Sequence, residues 1–237
     1  EVMTDLLKIT SLLTEYEELK WGRTELAAWL QLIDAYTNTY PRYAALVYLY
    51  YHGFGDWGRF IKELKAIVRY CYQRGSTTTV KYEIYNMIKQ ISQDKPLNSY
   101  YSNNITSDNL DYLGRLKYGY ALLAQYLEEP IAIQANYSTD RLLSSRDEKT
   151  LGASWEGHSL YNHLDDLGNL AIIDTYKVSK RYEDKQRVYV KTGIKEMRAF
   201  LEANPSMVSY EALQERTKHK KQLLLDFFQG KGAYGQD

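Results

Sequence analysis

A chain of 237 residues and 27.7 kDa has room for one large domain or two modest ones. Hydrophobic residues at 44% and charged residues at 25% supply enough apolar surface to offset chain entropy, which excludes a wholly disordered chain. Thirty basic and thirty acidic residues cancel, so no global field draws the protein onto DNA or an acidic membrane, and the single cysteine, Cys71, excludes a disulfide framework and a Cys-rich zinc site.

Tyrosine is the outlier, with 24 residues against five Phe. The most apolar run, Tyr43 to Tyr51, is half tyrosine and far short of the ~18 apolar residues of a spanning helix. It reads as a core helix, with no membrane segment and no secretory leader. A cytoplasmic location fits the lone thiol. The start at Glu-Val-Met suggests a fragment of a longer polypeptide.

Helical periodicity opens the chain. Val2, Leu6, Leu7, Ile9, Leu12, Leu13 and Tyr16 recur at three and four residues, predicting a helix from Val2 to Lys20. Gly22 breaks it, and Thr24 caps a second over Leu26 to Tyr36. Pro41 sits in the first turn of a third, which ends at His52-Gly53. Asp56 caps a fourth, whose face is Phe60, Ile61, Leu64, Ile67, Val68 and Cys71 and whose end is Gly75. Val80 to Ile91 is a fifth. Asp94 to Asn109 is a polar loop. Ser107 or Asp108 then caps a sixth helix through Leu127, closed by Pro130. Residues 1–130 therefore read as a helical module, with tyrosines as packing residues whose hydroxyls stay wet.

The second part, residues 131–237, changes character. Ile131 to Ile133, Tyr137 to Leu143 and Leu170 to Ile173 read as short strands, with a polar loop at 144–168. Helices are expected at about 177–190, 192–203 and 208–228, the last capped by Ser209, before a tail loosened by Gly230, Gly232 and Gly235. Charge is redistributed as well. Tyr176 to Lys191 holds six basic residues and two acids, whereas residues 137–175 hold seven acids and three bases. A basic helix with Tyr176, Tyr182 and Tyr189 interleaved suits phosphate contact, or else it is a solvated face.

The order of these features carries a resemblance. RLKYGYALLAQYLEE precedes NYSTDRLLS, then a polar loop containing Trp155, the run YNHLDDLGNLAII, the segment KRYEDKQRVYVKTGI, and SYEALQER opening the last helix. This resembles the C-terminal region of GmrSD-type modification-dependent restriction proteins and their relatives in phage defence, in which a helical region leads into an HNH-type, ββα-metal nuclease domain. Leu167-Gly168-Asn169-Leu170, with Lys185 after the aromatic Tyr182, carries it best. The resemblance implies a mainly α chain with a small α+β, HNH-like part, DNA as partner, Mg²⁺ as cofactor if active, and a ParB-like nucleotide-handling domain beyond the N-terminus of this chain. A homo-oligomer is left open.

In such a site a histidine on the first strand serves as general base, and a divalent ion polarises the scissile phosphate. The family pattern there is Glu-His, a small apolar residue and proline. The matching place reads Asp140-Arg141-Leu142-Leu143-Ser144. Asp140 matches the acid, but Arg141 stands for the histidine and Ser144 for the proline. Arginine stays protonated, so it cannot act as a base, though it can hold phosphate bidentately. Asn169 matches the bracing asparagine; the helix ligand has no clear match.

Three readings follow. In the leading one a degenerate nuclease scaffold binds DNA phosphates through Arg141, Lys177, Lys180, Arg181, Lys185 and Arg187, with Asn169 bracing the loop. In the second the chain is an active Mg²⁺-dependent endonuclease with a relocated catalytic His158 or His163, the metal on His163 and Asp166. The alternative for those histidines is a polar loop, with His163 packing it into the next strand. In the third the tyrosine-rich helices dock a protein partner. His52 reads as a helix cap, His219 as surface, and Cys71 as a buried, inert thiol. No phosphate-binding Gly-x-x-x-x-Gly-Lys loop and no Gly-x-Ser-x-Gly elbow occurs.

Overall fold

A computed structural model describes residues 2–22, 24–73, 77–129 and 137–232. Gly75, Pro130, the expected strand at 131–133 and Gly235 lie outside them. The described chain is mainly helical, with one small antiparallel sheet. It falls into two compact units: Glu1–Ile105 with Ala132–Ala135 and Phe227–Asp237, and Thr106–Ile131 with Asn136–Asp226. No helix among the described residues is long and apolar enough to cross a membrane.

The first unit is built from α1 (Val2–Lys20), α2 (Glu25–Asp34), α3 (Tyr40–His52), α4 (Trp57–Gln73) and α5 (Thr77–Ser92). Their ends follow local chemistry. The Thr24 side chain accepts the Ala27 N–H at 3.2 Å, and Asp56 accepts the Arg59 N–H at 2.9 Å. Gly53 terminates α3 at φ +69°, where a side chain would be strained. The core is apolar and aromatic, with Trp29, Leu30, Leu32, Leu64, Ile67, Val68 and Cys71 buried. Burial pushes the Cys71 thiol well up, which makes it inert. Two buried tyrosines have their hydroxyls paired inside the fold: Tyr16 donates to Asp34 at 2.9 Å and Tyr72 to the Leu32 carbonyl at 2.9 Å. That differs from wet hydroxyls and lets a bulky side chain fill the core without an orphaned donor.

The sixth expected helix is shortened. It starts at Lys117 rather than near Ser107, because Gly114 takes φ +53°, a left-handed conformation that a helix does not pass through. Two 3-10 turns, Ser107–Leu110 and Gly114–Leu116, precede α6 (Lys117–Glu128). This helix belongs to the second unit, together with β1 (Ser138–Arg141), β2 (Leu170–Ile173), α7 (Tyr182–Tyr189), α8 (Lys195–Ala203) and α9 (Tyr210–Gln229), whose last residues from Phe227 group with the first unit. β1 and β2 pair antiparallel, with Asp140 opposite Ala171 and Arg141 opposite Leu170. All four residues of β2 are buried because α6 and α8 both pack against it, which explains an unbroken apolar run in place of alternation.

The expected basic helix at 177–190 is the main departure. Residues 176–181 are irregular and not helical, and only Tyr182–Tyr189 is helical. The Val178 N–H, which a helix would spend on its own backbone, is taken by the Tyr189 hydroxyl at 2.8 Å. Asp147, fully buried in the long loop, accepts the Tyr182 N–H at 2.7 Å and so caps α7 from a distance in sequence.

A second ionic cluster ties α8 to α9 and α6. Arg216 donates to Glu196 at 2.7 and 3.2 Å, and Lys220, only 1% exposed, lies 3.6 Å from Glu196 and 3.2 Å from the Gln125 amide oxygen. Burial alone would raise the Glu196 carboxyl, but Arg216 and Lys220 prevail and hold it at about 2. Because this lies below the ordinary 4.5, the unfolded chain binds the extra proton first as pH falls. Stability present above pH 4.5 is therefore lost between pH 4.5 and 2, by about 3 kcal/mol for this group. Urea titrations over that window are expected to show the loss in the wild type. Glu196→Gln should remove this contribution and cost about 3–5 kcal/mol at neutral pH, since it strands two buried cations.

Candidate nucleic-acid interface

The loop between the two strands is held by one side chain. Asn169, fully buried, accepts the Leu143 N–H at 2.7 Å and donates to the carbonyls of Leu143 at 2.9 Å and Leu164 at 3.0 Å. Its own carbonyl accepts the Leu142 N–H at 2.8 Å, extending the strand pairing. The preceding Gly168 lies against α9. A Cβ there would sit 2.8 Å from the Thr217 nitrogen and closer still to the Leu213 carbonyl, so only glycine fits. The Gly168 N–H donates to the Thr217 hydroxyl at 3.1 Å, and Arg216 donates to the carbonyls of Gly168 and Leu170.

The acid and cation at the end of β1 are both engaged. Asp140 is 8% exposed and receives Lys185 at 3.0 Å and the Tyr189 hydroxyl at 2.7 Å. Lys185 also donates to the Arg141 carbonyl and is buried, so this residue, expected on the phosphate-facing surface, is an internal strut from α7 to β1. The guanidinium of Arg141 donates to one oxygen of Asp165 through Nε at 3.0 Å and Nη2 at 2.5 Å, and Lys117 shares the same carboxylate at 3.0 Å. Partial burial would raise the Asp165 carboxyl, but Lys117 and Arg141 hold it below the usual range.

The remaining cations lie outside. Lys177 is exposed and donates to the Thr139 carbonyl at 3.2 Å, with its ammonium 3.6 Å from Asp140. Lys180 and Arg181 are exposed on the irregular segment ahead of α7. Arg187 is exposed and paired with Glu183 one turn away, which leaves it a weak candidate. Arg146, absent from the sequence-based set, is exposed and donates to the Ser179 carbonyl, so it joins the cluster from 33 residues away. Only the folded loop could reveal that.

The histidines separate. His163 Nδ1 lies 2.8 Å from Asp166 Oδ2; since a carboxylate only accepts, Nδ1 is the donor in this bond. Gln214 donates to the same Asp166 oxygen at 3.2 Å. The His163 ring meets Trp155 and Tyr210 edge-on, so its packing partners lie in the loop and on α9 and not on the next strand. His158 is exposed and stacks on Tyr210 at 3.6 Å between centroids. The expected trio of His158, His163 and Asp166 does not come together as ligands: among the described residues no group of three or more His, Cys, Asp or Glu is placed to hold a metal ion. His52, read as a cap of its own helix, instead lies 3.1 Å from the Ile91 carbonyl of α5, and His219 is exposed and 3.0 Å from Glu128.

Neither a family model, a curated protein nor a solved structure matches the chain.

The Asn169 amide is the most consequential group of this region. Asn169→Ala strands the N–H and carbonyl of Leu143 and is expected to lower unfolding free energy by about 3 kcal/mol, measured by urea denaturation. Asn169→Asp keeps the acceptor but sets a buried carboxyl group against the carbonyls of Leu143 and Leu164, and should cost at least as much.

Proposed function

We propose that the second unit is an HNH-like ββα scaffold of a restriction-like phage-defence protein, which binds nucleic-acid phosphates and has lost its general base. The observation that carries this reading is the chain order β1, long loop, β2, α7, with an asparagine inside the loop bonding back across it and Arg141 at the end of β1 where the family's base would stand. Asp140, the family's acid by position, is committed to Lys185 and Tyr189. Mg²⁺ does not fit this donor set: Arg141 repels it, and the nearest His-carboxylate arrangement is the pair His163 and Asp166 alone.

The phosphate-binding surface in this reading is Arg146, Lys177, Lys180 and Arg181, with Arg141 able to exchange Asp165 for phosphate. Three cations on one exposed segment, with Arg146 reaching it from the loop, suit a polyanion and no single small anion. A second reading, cleavage by a relocated base, draws on the His163–Asp166 pair, in which a carboxylate orients the imidazole.

Duplex binding measured by fluorescence anisotropy at several salt concentrations separates these. Replacing Arg146, Lys177, Lys180 and Arg181 together by Gln is expected to weaken binding and to flatten the slope of log K against log salt by roughly 3. Supercoiled plasmid incubated with Mg²⁺ or Mn²⁺ should stay intact, with EDTA as control. Metal-dependent nicking that His163→Ala abolishes would establish the second reading, and absence of duplex binding would remove both.

A further inference from the structure

The first unit carries a cleft with a different chemistry. Glu15, Glu18, Leu19 and Gly22 follow one another at helical spacing along the end of α1, and they face Phe54 and Trp57 across a cleft of about 370 Å³ closed by Thr24. The two rings lie 5.7 Å apart at 60°, so they form two walls and not one flat stack. Trp57 is 37% exposed, which leaves ring surface available to a ligand. The volume is at the small end of what a bound organic molecule needs.

Charge decides what the cleft would take. Among the described residues neither Glu15 nor Glu18 lies in an ion pair. Among the described residues, the nearby cations are committed elsewhere: Lys20 to Glu17 at 2.5 Å and Asp34 at 2.8 Å, Arg42 to Glu17 at 2.5 Å, and Arg59 to Asp94 at 2.7 Å. Two carboxylates thus line the cleft together with two aromatic rings, and the face of an aromatic ring is itself negative. An anion would be repelled. A neutral apolar guest would strip water from two carboxylates and return no bond. A divalent metal needs oxygen ligands on most sides, and the rings offer none. A compact, strongly hydrated ammonium would lose water that the rings cannot replace, whereas a methylated ammonium or a guanidinium sheds its water easily.

We infer that the cleft formed by Glu15, Glu18, Phe54 and Trp57 is a binding site for a weakly hydrated organic cation, a methylated ammonium or guanidinium head group. The carboxylates supply charge, the rings supply a surface matched to methyl groups or a planar fork, and Leu19 supplies an apolar floor. The head group could arrive as a free small molecule or on a peptide side chain; both present the same chemistry.

Calorimetric titration of the full chain with tetramethylammonium, N-methylguanidinium and the neutral isostere 2,2-dimethylpropanol tests the assignment. At least one cation is expected to bind with a Kd below about 10 mM, and the isostere at least about tenfold more weakly. Glu15→Gln with Glu18→Gln, and separately Trp57→Leu, should each weaken the cation by about tenfold or more while the melting temperature stays near that of the wild type. A peptide carrying one trimethyllysine that binds tighter than tetramethylammonium points to a chain-borne head group, and equal affinity points to a free one. Equal binding of the isostere, binding indifferent to the carboxylates, or no binding of either cation at about 50 mM would each overturn the assignment.

Discussion

The side-chain amide of Asn169 closes the long loop of the second unit onto its own strands, and much else there takes its position from that closure. Three hydrogen bonds from one buried group replace the continuous ladder that two four-residue strands are too short to provide. Gly168 brings the same stretch of backbone against α9, and Arg216 then grips its carbonyls. Loop, sheet and terminal helix are thereby registered by consecutive residues.

The neutral net charge conceals a division of labour among cations. Lys185, Arg216 and Lys220 are buried, each beside a carboxylate, and hold α7, α8 and α9 in place. Buried pairs of this kind add little over apolar packing, but breaking one is expensive, so they fix arrangement more than they raise stability. Arg146, Lys177, Lys180 and Arg181 stay on the surface. The first unit follows the same rule. Lys20, Arg42 and Arg59 are matched with acids, and Glu15 and Glu18, which lie in no ion pair among the described residues, line a cleft with Phe54 and Trp57.

Several of these features are legible in the sequence because they depend on local chemistry. Thr24, Asp56 and Ser209 cap helices where their spacing to the following apolar residues says they should. Leu167-Gly168-Asn169-Leu170 stands out because a buried asparagine beside a glycine has few bland explanations. What is hidden depends on partners distant in the chain. The segment 176–181 has helical composition, yet Tyr189 takes the Val178 N–H and Asp147 receives that of Tyr182. Lys185 counts as one more charge of a basic run until Asp140 draws it inside. Arg146 and Gln214 reach their places only through the loop and α9. The left-handed Gly114 could have warned that the sixth helix starts late, but a glycine ahead of a helical run is weak evidence by itself.

Hydrogen exchange at the Leu142 and Leu143 amides, followed residue by residue in the native protein, tests the closure most directly. Both follow the last residue of β1, which ends at Arg141 and not at Leu143 as the sequence suggests, yet both donate to Asn169 and are buried. The account predicts that they exchange as slowly as the amides of β2, opening only when the second unit unfolds. Exchange at the fast rate of a solvated loop, with β2 still protected, would contradict it.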